Sequence, residues 1–225
     1  MKKILAYFLL LSLLLSMFST SAAAYDISED DSVNMGSHTI DSQLPVLGSE
    51  QLISNARSVL LYETGTDTLM YSWNADERLP PASLVKILTA LIAIERGDLT
   101  SQVVVREDVL NSVSKNAVKT GLLAGEILTL EDLLYCMMVN SGNDAAAVIA
   151  DHVAGSQEAF VAIMNEYAQE LGCTSTNFTD VHGIDDVNQY STARDLGRIL
   201  AAAVKNEVFA EFGATERNPS FLFIS

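Results

Sequence analysis

The sequence predicts an α+β domain, because one early pair of β-rich segments is followed by a run of helical patterns. Residues 58–73, SVLLYETGTDTLMYSW, contain two β-rich runs around the turn residues 64–67, a pattern typical of a hairpin. From residue 82 onward, most apolar residues recur at helical spacing. We therefore expect strands near 58–62 and 68–72, followed by a helical body without internal repeats.

The N-terminus carries an export pattern. Residues 1–24 consist of two lysines, an apolar run and small residues ending AAA, which is typical of a secretory signal peptide; an uncleaved membrane anchor is the alternative. Residues 25–48 are acidic and Ser-rich without a period, which indicates a flexible lead-in. We expect residues 49–225 to form one domain of a mature chain without a membrane anchor, located in the cell envelope or outside the cell.

The charge balance excludes one class of partner. The chain has 29 acidic and 13 basic residues and a formal net charge of −16, so phosphate backbones repel it and nucleic-acid binding is excluded. Cys136 and Cys173 are too few for a disulfide framework, although a single pair stays open. Cys136 lies in the apolar run LLYCMMV and is interpreted as a small buried hydrophobic residue.

One helix is predicted to lie inside the domain. Pro80 and Pro81 favour a helix start, and residues 82–96, ASLVKILTALIAIER, are apolar on nearly every face except at Lys86. A helix that is apolar all round belongs in a core. We expect Gly97 to end it.

The later elements follow in order. Residues 102–107, QVVVRE, predict a short strand, and Thr129 with Asp132 predicts a capped helix start. The SGN sequence at 141–143 interrupts this helix before a second helical segment. Ser191 is expected to cap a further helix. Between them, residues 156–172 form an amphipathic pattern whose apolar stripe is Phe160, Ile163, Met164, Tyr167 and Leu171.

Ser83 and Lys86 are predicted to be a nucleophile and its base. Three residues apart on a helix, they share one face, and the helix start favours a developing anion. Burial lowers the pKa of a lysine, which lets it activate a serine. A chance pattern on a surface helix is the alternative. However, Lys86 is the only charged residue between Arg78 and Glu95, and an isolated cation in an apolar helix is costly unless it is paired or used.

Ser141 and Asn143 are predicted to line the same cleft. A break between two helices can point a hydroxyl and an amide in a direction that a continuous helix cannot. Ser141 would relay a proton between Lys86 and a leaving amine, and Asn143 would hold a peptide carbonyl. The alternative is an ordinary loop in which the Asn-Asp pair caps the helix that begins near Ala145.

Two further patterns are interpreted as structural. Residues 119–121 read KTG, which would have to lie on a strand beside the nucleophile to take part in catalysis. Gly121, Gly125 and the lack of alternation in this run are instead typical of a loop. His182 lies among the acids Asp180, Asp185 and Asp186 and is interpreted as a hydrogen-bond partner, because one histidine among loop acids lacks metal-ligand spacing. We expect no cofactor and no metal.

Three segments together resemble a known family. Residues 58–95, the SGNDAA segment and NFTDVHGIDDVNQYSTARDL are similar to the serine D-alanyl-D-alanine carboxypeptidases, the low-molecular-weight penicillin-binding proteins of peptidase family S11. The likeness runs from about residue 52 to about residue 205, in the family's order. It implies the penicillin-binding protein and serine β-lactamase-like fold, with HGI at 182–184 and STARDL at 191–196 as structural segments.

The resemblance also implies an activity. Such an enzyme is exported and removes the terminal D-Ala from peptidoglycan stem pentapeptides, a step of cell-wall synthesis that affects cell shape. Ser83 would be the nucleophile and Lys86 its base, and Ser141 with Asn143 would be the SxN pair. β-Lactams would acylate Ser83 as substrate mimics. No cofactor is implied.

The sequence departs from the family pattern after Leu196. Family members carry KTG beyond the STARDL helix, on a strand of the central sheet. We therefore expect an incomplete fold that lacks the last sheet strands, with an unpaired edge at the hairpin. The missing strand would also carry half of the oxyanion hole, and losing one oxyanion donor typically costs roughly 100-fold to 1000-fold in rate. A serine β-lactamase-like hydrolase and a non-catalytic remnant that binds peptidoglycan or β-lactams are the alternatives.

Overall fold

The computed structural model describes residues 56–65, 68–184 and 186–215. The predicted signal peptide at 1–24 and lead-in at 25–48 lie outside these ranges. The chain divides into two compact units, Met1–Ala75 and Asp76–Ser225.

The first unit contains the predicted hairpin. Strand β1, Val59–Glu63, pairs antiparallel with β2, Thr68–Trp73, and the register shifts by one residue between Leu61 and Tyr62. Within the described residues these strands form a sheet of their own. The hairpin prediction is confirmed, because strand propensity on both sides of a turn is a local signal.

The second unit is built around the helix that was predicted to be internal. A 3₁₀ turn, Ala82–Leu84, leads into α1, Val85–Arg96, and every residue from Val85 to Ala93 is buried. Gly97 ends α1, and its N–H donates to Ala93 O at 2.9 Å. A Cβ at Gly97 would overlap the Leu130 side chain, so close packing explains why glycine ends this helix.

A second small sheet and a helix pair follow. Strand β3, Gln102–Val104, pairs antiparallel with β4, Ile127–Thr129, and the short α2, Glu107–Ser112, lies between them in sequence. Helix α3, Leu130–Asn140, begins with the predicted capping box, and α4, Asn143–Ala154, starts directly after the SGN break. The sequence did not predict α2 and β4, because six and three residues are too few for a clear period.

The last elements are helical. Helix α5, Gln157–Glu170, buries Phe160 and Met164 from the predicted stripe. Helices α6, Ala193–Ala203, and α7, Glu207–Gly213, are the last two elements among the described residues. These helices and α1 share one core.

The cap of α6 corrects the prediction by one residue. Thr192 caps the helix, and its Oγ1 accepts the N–H of Asp195 at 3.1 Å. Ser191 instead exchanges backbone hydrogen bonds of 2.8 and 2.9 Å with Leu79. Because this bridge holds Ser191 in an extended pair, the next hydroxyl along the chain caps the helix.

Both cysteines are free and buried, so the pairing that the sequence left open does not form. The interpretation of Cys136 as a buried residue is confirmed. Burial raises the pKa of each thiol to about 12. No helix in the described ranges combines the length and apolar character needed to cross a bilayer. The same ranges hold no cluster of three or more His, Cys, Asp or Glu side chains suited to a metal ion.

The capping box of α3 gives a testable prediction. Thr129 Oγ1 accepts the Asp132 N–H at 3.0 Å, and Asp132 Oδ2 accepts the Thr129 N–H at 3.2 Å. Thr129→Ala removes one acceptor and should lower the free energy of unfolding by about 1 kcal/mol. Urea denaturation followed by circular dichroism measures this, with Thr129→Ser as the control that retains the hydroxyl. Equal midpoints for the alanine variant and the unsubstituted protein would contradict the prediction.

Candidate active site

Ser83 and Lys86 meet at the start of the most deeply buried helix. The 3₁₀ turn places Ser83 one turn before Lys86, and Lys86 Nζ lies 3.2 Å from Ser83 Oγ. Lys86 is 3% exposed, whereas Ser83 is half-buried. This is the geometry that a serine nucleophile and a lysine base require.

The environment of Lys86 lowers its pKa to about 8, because burial disfavours the ammonium form. The carboxylates of Asp180 and Asp144 act in the opposite direction and keep the pKa from falling further. With a pKa of about 8, about a tenth of the molecules hold a neutral amine at pH 7. Lys86 can therefore accept a proton near neutral pH.

A second loop supplies the main acceptor for Lys86. Lys86 Nζ donates to the backbone carbonyl of His182 at 2.7 Å. The sequence predicted a structural role for this histidine and gave no sign that its carbonyl binds the lysine. The His182 side chain lies against Asp180, with its Nδ1 3.3 Å from Asp180 Oδ1.

The loop around His182 is fixed by Asp180. Its carboxylate accepts the N–H groups of His182, Gly183 and Ile184 at 2.9, 2.6 and 2.9 Å. Burial alone would raise the pKa of Asp180, but the His182 imidazole and these N–H groups hold it below its usual value. Asp180 is therefore ionised at neutral pH and holds the backbone of residues 182–184 in place. Asp185 lies outside the described residues.

Gly183 lets this loop approach the residue that precedes Ser83. Its φ is +90°, and a Cβ there would overlap the carbonyl of Ala82. Ala82 itself has a φ of 47°, in the left-handed region that non-glycine residues rarely adopt. The residue before Ser83 is thus held in a strained conformation directly against Gly183.

The SGN break brings a second hydroxyl to Ser83. Ser141 ends α3 in a left-handed conformation, with φ 56°, and its Oγ lies 3.2 Å from Ser83 Oγ. Asn143 begins α4, is 7% exposed, and its N–H donates to Val118 O at 2.9 Å. In the described part of the chain no group bonds to Asn143 Oδ1. The structure therefore brings Lys86 Nζ and Ser141 Oγ to Ser83 Oγ. Asn143 follows two residues after Ser141, without a hydrogen bond to these three side chains among the described residues.

The KTG sequence lies in a loop, as predicted. Lys119 is exposed and its Nζ donates to Val113 O at 3.2 Å. Its neighbour Thr120 has a different role, because a Cβ at Gly142 would overlap Thr120 Oγ1. This segment therefore packs against the SGN turn, a contact that the sequence did not predict.

The STARDL segment anchors the chain that leads to Ser83. Besides the bridge between Ser191 and Leu79, Arg194 donates to both carboxylate oxygens of Asp76 at 2.6 and 2.9 Å. The guanidinium of Arg78 lies 4.6 Å from the centre of the Tyr190 ring, a cation–π arrangement. These contacts fix both backbone and side chains of residues 76–79.

The chain is similar to proteins of a known family. A family model described as D-alanyl-D-alanine carboxypeptidase, Peptidase S11, matches residues 46–223. Among curated proteins, D-alanyl-D-alanine carboxypeptidase DacC of Escherichia coli is 37% identical over 177 residues, which cover 75% of this chain and 44% of that protein. DacF of Bacillus subtilis is 33% identical over 170 residues, covering 74% and 43%.

A solved structure shares the fold. Penicillin binding protein 5 from Haemophilus influenzae aligns with a TM-score of 0.62 and 33% identity, over 67% of this chain and 45% of that chain. The α+β penicillin-binding fold predicted from the sequence is thereby confirmed for the aligned part. The chain spans less than half the length of these relatives.

The contact between Gly183 and Ala82 can be tested by substitution. Gly183→Ala should lower the free energy of unfolding by about 1–3 kcal/mol more than Gly172→Ala, because overpacking adds to backbone strain. Gly172 is a matched control: its φ is +74°, but nothing lies within 4 Å of a Cβ placed there. Urea denaturation of the two variants measures the difference. Equal losses would show that the Ala82 carbonyl does not require glycine at position 183.

Proposed function

The chain belongs to the D-alanyl-D-alanine carboxypeptidase family, Peptidase S11, and we propose that it removes the terminal D-Ala of peptidoglycan stem pentapeptides through an acyl-enzyme on Ser83. The observation that carries this proposal is the position of Ser83 Oγ, 3.2 Å from both Lys86 Nζ and Ser141 Oγ. Burial of the lysine makes it a base near neutral pH. The activity is proposed for a chain that spans less than half of its curated relatives.

The acylation step follows from these distances. Neutral Lys86 takes the proton of Ser83, and Ser83 Oγ attacks the carbonyl carbon of the penultimate D-Ala. The positive end of the helix favours the resulting oxyanion. When the tetrahedral intermediate collapses, the C–N bond breaks and D-Ala leaves. Ser141 passes its hydroxyl proton to the leaving amine and regains a proton from the Lys86 ammonium.

Deacylation uses the same groups. Water attacks the Ser83 ester and Lys86 takes one of its protons. When the intermediate collapses, Lys86 returns this proton to Ser83, and the shortened peptide leaves as a carboxylic acid that loses its proton to solvent. Asn143 would bind a peptide carbonyl of the substrate through its amide N–H groups. The only participants in this scheme are side chains of the protein, the peptide substrate and water.

We also propose that the protein acts in the cell envelope or outside the cell. The proposed substrate is located there, and residues 1–24 carry the pattern of a secretory signal. β-Lactams are proposed as covalent inhibitors, because Ser83 would attack their strained amide as it attacks a peptide.

Incubation with a penicillin tests the proposed nucleophile. The intact mass of the purified protein should increase by one opened penicillin, because Ser83 forms a stable ester. Ser83→Ala should show no increase, since it removes the attacking oxygen. Release of D-Ala from a pentapeptide, measured on the same samples, should likewise be lost in the variant.

Other outcomes distinguish the alternatives. Rapid hydrolysis of the penicillin without a lasting adduct would support a β-lactamase-like hydrolase instead. A folded protein that binds penicillin or muropeptide equally well with and without Ser83, and forms no adduct, would overturn the enzymatic proposal in favour of a binding role.

The pKa of Lys86 predicts the pH dependence of acylation. The neutral amine is the active form, so the second-order rate constant for penicillin acylation should rise about tenfold per pH unit below pH 8 and level off above it. Stopped-flow or mass-spectrometric sampling from pH 6 to pH 10 measures this profile. Lys86→Ala should lower the plateau by about 100-fold or more. A flat profile across this range would contradict the role of Lys86 as the base.

A further inference from the structure

Asp144 is a buried carboxylate that follows directly after the SGN turn. It is 1% exposed, and no ion pair to it occurs among the described residues. A buried charge is costly unless other groups satisfy it. Because Asp144 lies in the first turn of α4, the positive end of the helix supplies part of that compensation.

Most hydrogen bonds of Asp144 go to a distant segment. Its Oδ1 accepts the N–H of Thr120 at 2.9 Å, and its Oδ2 accepts those of Gly121 and Leu122 at 2.9 and 3.2 Å. Within its own helix, Oδ1 accepts the N–H of Ala145 at 3.0 Å. A residue that only caps a helix needs no contact more than twenty positions away. The carboxylate instead gathers three successive backbone N–H groups of residues 120–122.

The clamped segment forms the back of the SGN turn. Val118 O accepts the Asn143 N–H at 2.9 Å, and Thr120 Oγ1 donates to Cys136 O at 3.3 Å. Cys136 O also accepts the Gly142 N–H at 3.4 Å. Because a Cβ at Gly142 would overlap Thr120 Oγ1, the segment packs closely against the turn at this residue.

We propose that Asp144 is a positioning residue for acyl transfer. It fixes residues 118–122 against the SGN turn, and the turn holds Ser141 Oγ 3.2 Å from Ser83 Oγ. This inference rests on the proposed function for its consequence in catalysis. Ser141 has a φ of 56°, and a strained conformation of this kind persists only when its surroundings enforce it.

Asp144→Asn is a sharp test because it preserves size. An amide has one acceptor oxygen, so in either orientation its NH₂ group faces N–H donors and leaves two of them without an acceptor. The charge is lost at the same time. Phe160→Leu is the control for stability alone, since Phe160 is fully buried in α5, outside the turn and the clamped segment.

Two readouts separate positioning from stability. At equal folded fraction, Asp144→Asn should acylate with penicillin about tenfold or more slowly than Phe160→Leu, because small displacements of reacting groups reduce rates strongly. Hydrogen exchange should become faster for the amides of residues 120–122 in Asp144→Asn and stay unchanged there in Phe160→Leu. Equal acylation rates in the two variants, or unchanged exchange at 120–122, would overturn the proposal.

The pH profile tests the charge of Asp144 separately from its hydrogen bonds. Among the described residues, the carboxylates that favour the Lys86 ammonium are those of Asp180 and Asp144. Removing one negative charge should shift the midpoint of the acylation profile to lower pH. An unchanged midpoint together with an unchanged rate would overturn the inference.

The outcome for the unsubstituted protein distinguishes the two proposals. If the unsubstituted protein forms no penicillin adduct, the proposed function fails, and the catalytic part of this inference fails with it. The exchange measurement still decides whether Asp144 clamps residues 120–122. If the unsubstituted protein forms the adduct and Asp144→Asn matches the control, only the positioning role is overturned.

Discussion

The burial of the Lys86 ammonium is the constraint on which the site depends. Lys86 is 3% exposed in a helix that is buried from Val85 to Ala93, so its charge must be satisfied from within the protein. The carbonyl of His182 at 2.7 Å and the hydroxyl of Ser83 at 3.2 Å meet that need. The apolar residues that build the core also lower the pKa of Lys86. The burial that stabilises the fold therefore also makes the neutral amine available near neutral pH.

The groups around Lys86 are held by two aspartates that act in the same way. Asp180 accepts the N–H groups of residues 182–184, and Asp144 accepts those of residues 120–122. Each carboxylate thereby fixes a backbone segment through three successive N–H groups, in a chain with 29 acidic and 13 basic residues. Both charges also raise the pKa of Lys86 against the effect of burial. The two carboxylates that hold these segments therefore limit how far the pKa of Lys86 falls.

The parts of the fold that depend on local patterns were predictable from the sequence. The hairpin, the apolar helix α1, the capping box at Thr129 and the break at Ser141 each follow from a few adjacent residues. Contacts between distant residues were not predictable. The bridge between Leu79 and Ser191 moved the expected cap to Thr192, because tertiary pairing overrode a local preference. The KTG segment was recognised as a loop, but its packing behind the SGN turn depends on Asp144, 23 residues beyond Gly121.

Backbone strain links these distant contacts to the site. Ala82 and Ser141 both have positive φ values, 47° and 56°. Each such residue costs about 1–3 kcal/mol and persists only where its surroundings enforce the conformation. Ala82 directly precedes the proposed nucleophile, and Gly183 packs against its carbonyl. Ser141 presents its hydroxyl to Ser83 from a turn that residues 118–122 support. A relaxed helix start and a continuous helix would avoid both costs. They would not, however, bring both the Lys86 amine and the Ser141 hydroxyl to 3.2 Å from Ser83 Oγ. The glycine and aspartate that hold these conformations are therefore better explained by the geometry of the site than by the stability of the fold.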